Sequence, residues 1–196
     1  MQAPKPQVKL FLESGIRPVL EQVIPVFHRF IRENALGGEL VIDVADYGHV
    51  PDGPGVVLIG DGSDYYLDLG DGRPGLLYSR KRRGAQDLEE SIRDALRRAL
   101  NAARLLEADT TFAPRLEFRA DELLFRMNDR LCAPNDQAGF ESVRPALEAA
   151  AKALHAGAHI ELERLGSERE LLSVRVTTKE SAPLEVLLER LGGPPG

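Results

Sequence analysis

The chain has no tryptophan, two methionines and one cysteine, Cys132. A lone cysteine cannot form an intramolecular disulfide, and no paired C-x-x-C exists to hold zinc. Aromatic residues make up 6% of the chain, few for the stacking surfaces that sequence-tolerant RNA binding uses. No apolar run approaches the roughly 20 residues needed to cross a bilayer. The N-terminal MQAPKPQVKLFLE lacks the basic start and apolar stretch of a secretory signal. These absences set two expectations: a cytoplasmic location and no membrane partner. Several motifs are missing as well. There is no G-x-x-x-x-G-K-[ST] loop, no H-E-x-x-H and no G-x-S-x-G elbow, which removes the sequence signals for P-loop, zinc-protease and serine-hydrolase chemistry.

What is present belongs to a globular protein. Of the 196 residues, 43% are apolar and 29% charged, enough length and hydrophobicity for a real core. The net charge of −6 and isoelectric point near 5.3 disfavour nonspecific contact with nucleic acid or anionic lipid. A secretory, membrane or nucleic-acid role is therefore disfavoured before any motif is weighed.

Periodicity divides the chain into short elements. Residues 8–12 and 40–45 read as strands around a helix from Pro18 to Asn34. Pro25 either kinks that helix or marks its start. Three further strands, at 56–59, 64–69 and 76–80, are joined by Gly60-Asp61-Gly62 and Gly70-Asp71-Gly72, turn chemistry that predicts an antiparallel meander. A long helix follows from Asp87 to Glu107, with Asp87 as its cap. Beyond a break at 108–114, strands are predicted at 116–118 and 123–127, then a helix from Ser142 to Ala156. A hairpin across Gly166-Ser167-Glu168 and a helix from Pro183 to Leu191 complete the chain.

The fold class that follows is α+β, two related halves of antiparallel strands covered by helices. Residues 8–109 form the first half, with the Gly/Asp-rich hairpins, and residues 115–191 the second. Arg17, Pro18, Leu20, Glu21 and His28 can be laid on Arg144, Pro145, Leu147, Glu148 and His155, so a degenerate duplication is one expectation. Chance similarity between two amphipathic helices is the other.

Chemistry concentrates between residues 49 and 84, where turns rich in glycine and aspartate run into four basic residues. Gly70 to Gly75 spells G-x-G-x-x-G, but a strand rather than a helix follows it, and Pro74 removes an N–H. A glycine-rich hairpin fits better than a dinucleotide site. Asp61, Asp64, Asp68 and Asp71 lack the spacing of a calcium loop; Asp64 and Asp68 fall on one strand face with Tyr66, which predicts a half-buried strand with an acidic outer face. His49, after Asp43 and Asp46 at a strand end, has the minimum equipment for general acid–base chemistry. Tyr78, Arg80, Lys81, Arg82 and Arg83 are candidates for holding an anion or an acidic partner surface, since arginine forks suit phosphate and carboxylate. Cys132 is a nucleophile only beside a base, and otherwise a small buried hydrophobe. No residue set points to a metal or a cofactor.

HVPDGPGVVLIG, DYYLDLGDGRPGLLYSRKR, VFHRFI and VIDVADY resemble segments of an uncharacterised bacterial protein family, as does NDRLCAPN. The resemblance covers roughly the first half of the chain. It implies a bacterial, cytoplasmic protein and supplies neither substrate nor catalytic residues. Two functions are expected from the residues themselves. The first is a non-catalytic binding or assembly module, self-associating or holding a protein partner, with a small anionic ligand also possible. The alternative is an enzyme in which Arg80 to Arg83 hold an anionic substrate while His49, Asp43 and Asp46 move protons. Nucleic-acid binding ranks last.

Overall fold

A computed structural model describes residues 4–50, 53–82 and 87–195. Strand β1, Pro6–Leu12, buries Val8, Leu10 and Leu12 on one face and turns Gln7, Lys9 and Phe11 to the other. Helix α1, Leu20–Glu33, buries Val23, Val26, Phe27 and Phe30, and ends at Asn34 in the left-handed conformation. It runs through Pro25, which lies on the exposed side of the helix. The cost is one backbone bond in a helix whose buried stripe is otherwise intact.

Strands β2 (Val41–Asp46), β3 (Val56–Gly60), β4 (Ser63–Asp68) and β5 (Gly75–Arg80) form the antiparallel meander. Its two turns differ. Asp61-Gly62 closes the β3–β4 hairpin with negative or extended φ, whereas Asp71 and Gly72 both take positive φ, 60° and 64°. Only the second uses the left-handed backbone that Asp-Gly predicts. Helix α2, Leu88–Ala108, is capped by Asp87, whose carboxylate accepts from the Glu90 N–H at 2.9 Å.

The second part departs more from its sequence pattern. Two short strands were expected around 116–127; one ten-residue strand forms, β6, Phe118–Met127. β6 itself bulges to absorb the irregular stretch, five positions from Phe118 to Leu123 facing two on β1 from Leu12 to Leu10, and it stays paired on both sides. Helix α3, Gln137–Leu154, starts before the apolar stripe does, because Asp136 caps it through the Gly139 N–H at 2.7 Å. Strands β7 (Ile160–Leu165) and β8 (Leu172–Thr178) and helix α4 (Leu184–Arg190) close the chain.

All eight strands join one antiparallel sheet in the order β2-β3-β4-β5-β1-β6-β8-β7. The fold is α+β. The helices pack on a single face, where their apolar residues form one core cluster with residues of seven strands, and Ile160 and Leu162 of β7 pack against it partly buried. At its centre Val8 of β1 lies opposite Phe125 of β6, both fully buried. The opposite face carries none of the described α-helices, so its side chains meet neighbouring strands and turns. That face is where polar groups must find partners among themselves. No described helix is long and apolar enough to cross a membrane.

Because one cluster unites the chain, unfolding is expected as a single cooperative transition. Phe125→Ala should cost about 3–5 kcal/mol, measured by urea denaturation, without splitting that transition.

Candidate functional site

The residues expected to carry chemistry are mostly engaged in structure. Asp46 sits at the end of β2 and accepts from the Gly48 N–H at 2.8 Å; Asp43 accepts from the Val44 N–H at 2.8 Å. His49 follows in an exposed turn, and no ion pair or hydrogen bond joins it to either aspartate. The three are close in sequence, yet each carboxylate is oriented by its own backbone rather than by the imidazole.

The basic run is likewise occupied. Tyr78 is fully buried in the helix-covered core, its ring edge-on to Tyr65 at 5.2 Å. Burial pushes both phenol pKa values far up, so both hydroxyls stay protonated. Arg80 is buried against Asp94 of α2. Lys81 contacts Asp64 and the Gly60 carbonyl, each at 2.6 Å, and Arg82 pairs with Asp61 at 3.0 Å on the surface. Arg83 lies outside the described residues. Strand alternation explains the split: β5 directs Tyr78 and Arg80 into the helix layer, while Lys81 leaves the strand end toward the turn. The run makes no single anion-binding patch among the described residues.

The acidic face predicted for β4 is not solvated. Asp64 and Asp68 are buried, paired with Lys81 and with Lys9 of β1, and Lys9 is itself 1% exposed. Tyr66, between them, donates to Asp64 at 3.3 Å, and its pKa is pushed up to about 12 by burial and by that carboxylate. Cys132, expected to be buried if not reactive, is exposed. Its thiol pKa is raised by desolvation and by Asp129, which keeps it away from the thiolate form.

A cleft of about 390 Å³ lies instead on the open face, across β1, β6 and β8, between the β4–β5 turn and the β7–β8 hairpin. Cross-strand register assembles it. Leu124 lies opposite Arg175, and Arg126 opposite Ser173, which in turn pairs with Leu165. Phe11, Leu124, Leu165 and Leu171 supply apolar walls; Arg73, Arg126 and Arg175 supply cations. The Arg73 guanidinium stacks 3.7 Å from the centre of the Phe11 ring.

Glu122 organises Arg73 and Arg175, while Arg126 pairs with Asp71 at 3.0 Å. The Glu122 side chain is 8% exposed. It accepts from Arg73 through both oxygens at 2.6 and 2.8 Å, contacts Arg119 at 2.9 Å and meets Arg175 Nε at 3.4 Å. Four contacts match the acceptor sites of a carboxylate, so Glu122 has nothing left to offer a ligand. Its pKa is held below the usual glutamate value, chiefly by the Arg73 hydrogen bonds. The arginines retain free donors: their side chains are 25–38% exposed, and each guanidinium has five N–H groups.

The far wall is also rigid. Asn135, fully buried, donates to the carbonyls of Leu165 and Ser167 at 2.9 Å each, and Glu170 accepts from the Ser167 N–H at 2.6 Å. Gly166, between them, takes φ 77°. Ser173 is the one hydroxyl lining the cleft, and it donates to the Leu171 carbonyl at 3.1 Å. Neither histidine nor cysteine lines it. Arginines with a tied serine can orient and neutralise a ligand; the carboxylates that line the cleft, Asp71 and Glu170, are engaged with Arg126 and with the Ser167 N–H.

No protein-family model matches the chain, and no curated protein matches it. The site therefore rests on geometry. Sequence reading passed over Glu122, Arg119, Arg126 and Arg175 because they are scattered singly. The signal was in β6, where Glu122, Leu124 and Arg126 alternate with buried Leu123, Phe125 and Met127. Charge at alternate positions of a central strand marks a sheet face without a helix on it.

Glu122→Gln is expected to destabilise the protein by about 1–3 kcal/mol at neutral pH, since it leaves the arginines facing one another. The depressed pKa fixes the sign: this stabilisation is present above the usual glutamate range and is lost as pH falls through the lower folded value. Thermal melts of both proteins from about pH 7 to about pH 3 should show the gap closing in acid.

Proposed function

We propose that the chain is a non-catalytic binding module that takes its ligand on the open face of the sheet. The observation supporting this is the cleft around Arg73, Arg126 and Arg175, whose shape is set before any ligand arrives. Glu122, Asn135 and Glu170 hold the walls through bonds internal to the protein, and prior ordering of this kind reduces the entropy lost on binding. The volume falls within the range of small-molecule sites. An acid–base enzyme would need His49 joined to Asp43 or Asp46, or an equivalent pair in the cleft. Instead both aspartates cap backbone N–H groups.

A duplication is part of the same reading. Each of β1 and β6 is followed by a helix, a run of antiparallel strands and a second helix, and each pairs with the last strand of its own run, β5 or β8. The two meet antiparallel at the centre of the sheet, as two copies related by a twofold axis would. The residue-level match is looser: Pro18 precedes α1 whereas Pro145 lies inside α3. Topological agreement with local drift is what an old duplication would leave.

The test is native mass spectrometry after incubation with a mixture of small organic acids, followed by release of whatever is bound. The expected result is a retained mass increment and a ligand recovered with its mass unchanged. Release of a chemically altered molecule, formed by wild type and abolished by Arg126→Leu, overturns the non-catalytic reading.

A further inference from the structure

We infer that the cleft on the open sheet face binds a small monocarboxylate with an apolar body, such as an aryl-alkyl acid. The inference rests on the reading of that cleft as a binding site and adds the class of ligand. Four features of the site lead to it.

First, the polar groups left free over the strands are guanidinium donors. Glu122 is saturated by Arg73, Arg119 and Arg175, while Glu170 and Asp71, each engaged through one oxygen, with the Ser167 N–H and with Arg126 respectively, lie at the hairpin and the rim. A ligand seated over the arginines therefore brings acceptors. Second, the donors belong to guanidinium groups on adjacent strands. Arg126 is paired with Ser173, two residues from Arg175, so the two arginines are diagonal neighbours at roughly 7–8 Å between backbones. A flat two-oxygen group between them can take parallel N–H bonds, the geometry in which guanidinium recognises carboxylate.

Third, the charge count disfavours a multiply charged anion. Arg73, Arg126 and Arg175 face Asp71, Glu122 and Glu170, and Arg175 also pairs with Glu163 at 2.8 Å. Field attraction is small, and directed bonds must do the holding. A monoanion matches half-exposed guanidinium groups, whereas a dianionic phosphate would leave charge uncompensated beside three carboxylates. Fourth, Phe11, Leu124, Leu165 and Leu171 surround more space than a bare anion fills. An apolar body of one ring or a short chain occupies it and displaces water from those walls.

Other candidates are weaker. Ile42 of the edge strand β2 and Leu40 just before it are 57% and 69% exposed, but nothing indicates which partner covers them. The buried cluster of Glu39, Arg98, Arg80 and Asp94 on the helix side is closed and has its own internal pairs.

The experiment is a titration of the full chain followed by amide NMR, with three probes: 3-phenylpropionate, its neutral amide 3-phenylpropanamide, and inorganic phosphate. The expected result is saturable shifts at Gly166 and Ser173 with 3-phenylpropionate. The amide should bind at least about tenfold more weakly, and phosphate should not compete. Arg126→Leu removes donors that touch only Asp71, so it should fold normally and weaken binding about tenfold. Arg144→Leu on exposed α3 should change nothing. If the amide or phosphate shifts the same amides as strongly, the ligand class is wrong and the binding reading stands. If none of the probes shifts them, both the ligand class and the cleft as a binding site fall.

Discussion

The pairing of β1 with β6 is the constraint on which the rest of this molecule depends. These strands open the first and second parts of the chain, and each carries a different meander on its far side. Removing that pairing would leave two smaller sheets, each with a newly exposed edge. With it, Val8 and Phe125 lie together beneath the helices, and one cluster spans the chain. The register also determines the other face. Once Leu123, Phe125 and Met127 point into the core, Glu122, Leu124 and Arg126 must point away from it. A slip of one residue would bury the arginine and expose the phenylalanine.

One-sided coverage then explains the chemistry of the open face. A central strand without an α-helix above it still buries much of each side chain between its neighbours, and Lys9, 1% exposed, also reaches the Gly70 carbonyl of the β4–β5 turn at 3.2 Å. Charges in that position need partners. Lys9 finds Asp68, Lys81 finds Asp64, and Glu122 gathers three arginines. The first two pairs bridge strand to strand or strand to turn and leave nothing over. The third differs in being a network, since Glu122 joins Arg73, Arg119 and Arg175, Asp121 and Glu163 take further bonds from the last two, and Arg73 and Arg175 keep donors facing a cleft. Surplus donors beside apolar walls distinguish this place from the rest of the face.

The fold was legible where local signals agreed. Short apolar runs between Asp-Gly turns marked β3 to β5, the stripe from Ile92 to Leu106 marked α2, and Asp87 marked its start. Legibility failed where a neighbour overrode local pattern. Leu116 to Met127 looked like two strands because Arg119, Ala120 and Asp121 interrupt the alternation, yet pairing with β1 and β8 carries one strand through. Asp64 and Asp68 looked solvated because acidic residues on an exposed strand face usually are; lysines from β1 and from the end of β5 reached them.

Length, hydrophobic periodicity and turn chemistry by themselves determined the class of protein, the order of its elements and the antiparallel meander. These are local properties, set by backbone preference and by which side of each element is apolar. Strand order, the coverage of a single face and the assembly of Phe11, Arg73, Glu122, Arg126 and Arg175 around one cleft were decided only in three dimensions. Those residues are separated by up to 164 positions (175 − 11). They meet because cross-strand register aligns residues without regard to their distance along the chain, and no one-dimensional pattern records that alignment.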